Sequence, residues 1–155
     1  MATGGTSPDT TNYFSGWAHA SPGLGSVGSY QIAGTPYISG STDLDDGATD
    51  TVIFPSVTRR LVVRNTSVSG ALRIHFGAKG EGRILNGFHY LTVQPLYSGS
   101  TSFGRLSELD MNIKCDHLYI SNDSGIDNCS YQVFAELTGI NRANMFQLTG
   151  SGVTE

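Results

Sequence analysis

The stretch YQVFAEL, Tyr131 to Leu137, sets Tyr131, Val133, Ala135 and Leu137 against Gln132, Phe134 and Glu136. Successive side chains of a strand point to opposite faces, so this period of two predicts a strand with the first set buried and the second facing out. LRIHF, residues 72–76, repeats the pattern, with Leu72, Ile74 and Phe76 alternating with Arg73 and His75. On this pattern His75 is expected on the polar, exposed side. One face in and one face out is how a sheet packed on a second layer reads.

The same period runs through LVVRN (61–65), FHYLTV (88–93), MNIKC (111–115) and HLYIS (117–121), all rich in β-branched and aromatic residues. Turn-forming sequences stand between them: NTSVSG, GAKGEG, LNG, YSGSTSFG, KCD and NDSGIDN. No segment carries a sustained helical stripe capped at both ends. The best helical candidate, RLSELDM at 105–111, is one or two turns long. With YQIAG, PYISG, TVIFP and TSFGRL added, the chain has about eight to ten strands, closely spaced, which predicts an all-β sandwich or barrel of jelly-roll or immunoglobulin-like order. Ile74, Phe76, Ile113, Ile120, Val133 and Leu137 are the expected core.

At 155 residues the chain is long enough for one domain with a substantial core. Residues 1–28, dominated by Gly, Ser, Thr, Pro and Ala, are expected to form an extended arm, 29–140 the folded layer pair and 141–155 a tail. A mere linker has little use for large aromatics, yet the arm holds Tyr13, Phe14 and Trp17, and the tail groups Met145, Phe146 and Leu148. These six are the expected interface anchors, since buried aromatics carry much of an interface's energy. Charged residues are only 14% of the chain, a composition suited to a surface covered by neighbours.

The net charge of −4, with basic residues scattered, argues against a nucleic-acid grip, which needs a clustered positive face. No apolar run is long enough for a membrane span, and the amino terminus has neither a basic start nor an apolar signal core, so a soluble, unprocessed chain is expected. Cys115 continues the apolar alternation of Met111 and Ile113 and is expected to be a buried thiol. With Cys129 it makes neither a disulfide framework nor a metal site. The N-x-S/T triplets at Asn65, Asn122 and Asn128 read as turn sequences rather than glycan sites.

Gly23, Gly25 and Gly28 match G-x-G-x-x-G, but that fingerprint needs a buried strand before it and a helix opening on its last glycine. The flanks, rich in Gly, Ser and Pro, promise neither, so a loop is expected and no nucleotide. No Ser lies in a nucleophile elbow, and His19, His75, His89 and His117 fall in separate segments, so neither a catalytic centre nor a cupin-like metal cluster is expected. Asp43, Asp45, Asp46 and Asp50 form one acidic loop and Asn122, Asp123, Asp127 and Asn128 another. Neither follows the EF-hand order, and solvated turns are expected in preference to calcium sites. No cofactor is called for.

YQIAGTPY, FPSVTRRLVVRN, RIHFG, MNIKCDHLYIS and FAELTGI, in that order, resemble segments of the small single jelly-roll capsid proteins of large icosahedral double-stranded DNA viruses. The resemblance covers about Tyr30 to Ile140 and leaves out the arm and tail. It implies a single antiparallel jelly-roll sandwich, a structural role as penton or minor capsid subunit, no catalytic residues, and location in the virion after synthesis in the host cytoplasm. The expected partners are copies of itself, as a homopentamer, and other capsid proteins. A capsid decoration, cement or glycan-binding β-domain is the alternative, although the aromatic platform expected for sugar stacking is not visible.

Overall fold

The computed structural model describes residues 23–77, 89–96 and 106–146. Their strands are β1 (Thr35–Leu44), β2 (Thr49–Ile53), β3 (Ser56–Asn65), β4 (Leu72–His75), β5 (Leu91–Val93), β6 (Glu108–Met111), β7 (His117–Asn122) and β8 (Cys129–Asn141). They form two four-stranded antiparallel sheets, β1-β8-β3-β6 and β2-β7-β4-β5. The protein is an all-β sandwich.

The pairing is nested: β1 lies on β8, β2 on β7, β3 on β6 and β4 on β5, as if one long hairpin had been wound over itself. Among the described strands, only β4 and β5 are both consecutive in sequence and paired. An immunoglobulin order would put several sequential strands side by side within a sheet, so that alternative does not describe this chain. The closure also makes most contacts long-range, as a wound hairpin requires.

Alternation decides what lies between the sheets. Leu61 and Val63 of β3 and Val133, Ala135 and Leu137 of β8 face Leu72, Ile74, Leu118, Ile120 and Val93 of the second sheet, all buried, with Phe54 from the β2–β3 corner. Of the expected core, Ile74, Ile120, Val133 and Leu137 are buried, while Phe76 and Ile113 pack half-buried on its margin. Tyr131 also points inward, and its hydroxyl donates to Asp50 of β2 at 2.9 Å. This bond ties one sheet to the other, and burial together with the Asp50 carboxylate pushes the Tyr131 phenol pKa upward.

Four expectations about local structure are corrected. RLSELDM holds the strand β6 and no helix: Leu109 and Met111 turn to the core while Glu108 and Asp110 find arginines across the sheet. MNIKC is a strand only as far as Met111, because Thr58 takes over the hydrogen bonds of Ile113 and Cys115. YQIAG is not a strand, since Tyr30 and Gln31 close a short helix, α1 (Val27–Gln31). His75, expected to be exposed, is 1% accessible. TSFGRL, FHYLTV before His89 and the turns GAKGEG and LNG lie wholly or largely outside the described residues.

Candidate functional site

Both ends of the described chain are tied to the β6–β7 connection. Lys114 Nζ donates to the Leu24 carbonyl at 2.9 Å and sits 4.1 Å from the centre of the Tyr30 ring, fixing the turn before α1. Two residues on, Asp116 accepts from His117 at 2.7 Å and lies 3.8 Å from Arg142, in the 3₁₀ turn Arg142–Asn144 that follows β8. The arm therefore enters, and the tail leaves, at the same end of the sandwich. Met145 is half-buried and Phe146 exposed there. Tyr13, Phe14, Trp17 and Leu148, the other expected anchors, lie outside the described residues.

From this end a patterned face opens, the outer side of β1-β8-β3-β6. Register puts Ile38 opposite Phe134 and Phe134 opposite Val62, so the three make an apolar stripe across β1, β8 and β3. Ile38 is 76% exposed and the other two are half-buried. The stripe lines a shallow depression with Arg60, Arg64, Glu108 and Gln132.

Charges on either side of it are already paired. Arg60 binds Asp110 through two bonds of 2.9 and 2.6 Å and reaches Glu136 at 3.4 Å. Arg59 holds the other oxygen of Glu136 at 2.9 Å, and Arg64 holds Glu108. The Arg60 guanidinium keeps the Asp110 carboxyl below the usual carboxylate range, although water screens a pair this exposed. Arg59 also donates to the Ile32 carbonyl, anchoring the end of α1 over this face. Between these ion pairs the face presents the hydrocarbon of the stripe.

The Gly23, Gly25 and Gly28 triplet can now be placed. A turn, with Ser26 N–H on Gly23 C=O at 2.9 Å, leads directly into α1, and Gly28 is the second of its five residues. A helix does open at the last glycine, contrary to the reading of the flanks, but at five residues it is too short to gather a macrodipole.

His75 is the one histidine of the second sheet with a serine in reach. Its Nδ1 lies 2.7 Å from the Gly77 carbonyl, which can only accept, so Nδ1 carries the proton. Nε2 then accepts from Ser121 Oγ at 2.7 Å, and Ser121 accepts from Thr49 Oγ1 at 2.7 Å. A base next to a hydroxyl is the start of nucleophilic catalysis, but Ser121 is 0% exposed, where no substrate reaches it. The ring also stacks on Tyr119, at 5.4 Å and 9°. His75 is on the outward side as the alternation says, and hydrogen bonding, not exposure, satisfies it.

The two acidic loops, separate in sequence, meet at the far end of the sandwich. The Asp46 N–H donates to Asp127 at 3.0 Å, and the Asp46 carboxylate accepts from Gly125 N–H at 2.8 Å. These carboxylates clasp backbone amides. Among the described residues no three His, Cys, Asp or Glu side chains are grouped as a metal ion would need. Asn65 and Asn122 belong to the same end and are fully buried. Each sits at the close of a strand, donates its amide to two carbonyls and accepts from the N–H two residues on. Their N-x-S triplets are buried Asx turns, as the reading of them as turn sequences implied. Asn128 stands in a turn with φ of 57°.

Cys115 and Cys129 are both buried free thiols. No protein-family model, curated protein or solved structure matches the chain.

Proposed function

We propose that this protein is a virion structural subunit, a penton or minor capsid protein, and that its nested sandwich is a jelly roll. The observation that carries the reading is the nested pairing of β1 with β8, β2 with β7, β3 with β6 and β4 with β5, a wound-hairpin order compatible with a jelly roll. The low charge and the common exit of arm and tail support it.

In this reading the mechanism is assembly by burial. β1 is an edge strand of ten residues whose only charge is Asp43, with none of the lysines that usually block edge-to-edge pairing. Neighbouring copies cover that edge, while Tyr13, Phe14 and Trp17 of the arm and Met145, Phe146 and Leu148 of the tail anchor contacts radiating from the β6–β7 end. A ring closes when the heterologous contact repeats by rotation, and each contact needs roughly 1,000 Å² to hold alone.

Native mass spectrometry of the full chain, and of the chain lacking residues 1–22, tests this. A pentamer that falls apart on deletion is the expected result. A trimer would move the protein to a cement position between capsomers. A monomer at high concentration that also fails to join a capsid lattice would overturn the reading.

A further inference from the structure

Among the described strands β1 is the longest at a sheet edge, with ten residues, while the other edges, β2, β5 and β6, have five, three and four. An edge strand carries a row of backbone N–H and C=O groups that no neighbouring strand meets, and such a row is a template for another chain. β1 does little to prevent this, since its single charge, Asp43, lies next to its last residue.

Pro36 shows which groups form the row. Proline has no N–H, and within a sheet it takes an edge strand with its nitrogen turned to the open side. Backbone groups alternate along a strand, so the N–H and C=O of Ile38 and Gly40 share that side, while Tyr37 and Ser39 bond to β8. The side chains of Pro36, Ile38 and Gly40 also share a face, the outer one, where Ile38 begins the stripe with Phe134 and Val62 and is 76% exposed.

The row is complementary to itself. In an antiparallel pair with a two-fold axis at Ile38, each Ile38 N–H meets the Ile38 carbonyl of the other copy, and each Gly40 N–H meets a Pro36 carbonyl. The only donor missing is the one that proline lacks. The Pro36 ring falls beside Gly40, which has no side chain to obstruct it. The register shift between Ser41 and Leu44 leaves Asp43 outside the paired stretch, so the two carboxylates stand at opposite ends of it. Ile38 against Ile38 joins two apolar stripes into one, with three strands from each copy.

We infer that β1 pairs with β1 of a second copy, antiparallel and centred on Ile38, merging two β1-β8-β3-β6 sheets into one. The inference rests on the virion reading for the place of such a pair, as the neighbour that covers the β1 edge. It is a two-fold contact, separate from the heterologous one by which arm and tail close a ring. One added strand on each side buries less than the roughly 1,000 Å² of a contact that holds alone, so pairing in dilute solution is weak and is best read with a trap.

Ile38→Cys in the full chain supplies the trap, because the axis sets the two side chains opposite each other at a Cα separation of about 5.5 Å, which a disulfide spans. Cys115 and Cys129 are buried and do not compete. Under mild oxidation Ile38→Cys is expected to form a covalent dimer about tenfold faster or more than Ile53→Cys, a control at a 50% exposed position on the edge strand β2. In the unmodified chain the Ile38 and Gly40 amides are expected to exchange hydrogen more slowly as concentration rises, while those of Tyr37 and Ser39 keep their rates. Equal rates of linking at the two cysteines would overturn the pairing, and so would edge amides whose exchange is the same at every concentration. Native mass separates this contact from the ring: a pentamer with no link at position 38 keeps the ring and removes the pairing, and a link at position 38 without a pentamer keeps the pairing and removes the ring.

Discussion

The two ends of the sandwich close by different chemistry. At the end where β1, β3 and β7 finish, asparagine amides hold the loops: Asn65 donates to Gly70 and Val93 carbonyls at 2.9 and 3.0 Å, and Asn122 to Leu44 and Ile126 at 2.9 and 2.7 Å. At the end where arm and tail attach, threonine hydroxyls do it. Thr58 bridges Ile113 and Cys115 across two register shifts in β3, and Thr138 reaches the Val57 carbonyl at 2.7 Å. An amide side chain has two donors and an acceptor and can pin three backbone groups, whereas a hydroxyl has one hydrogen to give. The asparagine end is fixed from several directions at once, and the threonine end leaves its outer pieces, α1 and the 3₁₀ turn, held by surface charges.

The largest effect expected follows from this. Asn122→Ala removes four bonds, two donated to the Leu44 and Ile126 carbonyls and two accepted from Ser124, and each buried group orphaned in this way costs about 1–3 kcal/mol. A loss of about 3 kcal/mol or more by urea unfolding is expected, with Asn65→Ala alongside it. If either variant costs under about 1 kcal/mol, water replaces the amide and the distinction between the ends fails.

Next comes Gly70, in the β3–β4 turn that Asn65 holds. Its φ is +92°, and a Cβ there would stand 2.5 Å from Cys129 Sγ and 2.9 Å from Ser124 Oγ. Gly70→Ala is expected to cost about 2 kcal/mol or more, combining backbone strain with the displaced sulfur. Gly47, also at positive φ in the β1–β2 turn, meets nothing within 4 Å, so Gly47→Ala should show the strain alone.

At the threonine end Cys115 supplies a pH test. Burial pushes its thiol from 9.0 up to about 11, partly opposed by the Thr58 hydroxyl at 3.2 Å. The folded state keeps this proton longer than the unfolded state, so the stability it contributes is intact below pH 9 and is lost as pH rises towards 11. The expected loss is on the order of 2 kcal/mol, and Cys115→Ala should flatten that limb of the stability curve. An identical alkaline limb in the variant would assign the loss to other groups, such as the Tyr131 phenol.

How much of this could be read from the sequence divides along the same line. YQVFAEL announced both its type and its buried set, because a sheet covered on one face imposes that period, whereas LRIHF announced its type and only Leu72 and Ile74 of its buried set. The nested order was not legible, since period two records which face a side chain takes and not which strand lies beside it. The Asn-x-Ser triplets announced turns, yet nothing in them marked Asn65 and Asn122 as buried plugs. Their partners, Val93 and Leu44, come from remote strands. His75 misled for a related reason: alternation placed it outward correctly, but its burial depends on Ser121 and Tyr119 of another strand. The stripe was half visible, with Phe134 standing out among Gln132 and Glu136, and only register joined it to Ile38 and Val62.

The smallest effect expected is also the most telling. Lys114→Ala removes one exposed hydrogen bond to Leu24 and the cation over Tyr30, which together are worth about 1 kcal/mol or less, so the thermal midpoint should hardly move. Local opening is another matter, because α1 has few ties besides this one and the Arg59 bond at Ile32. A segment so held opens at far less than the global cost, and removing one tie raises the open population by the full value of that tie. Chymotrypsin cleavage at Tyr30 should therefore quicken by about fivefold in Lys114→Ala, while cleavage within the strands keeps its rate. Equal rates at Tyr30 in the parent and the variant would mean that α1 is fixed by packing and not by these charges, and the two ends of the sandwich would then be equally firm.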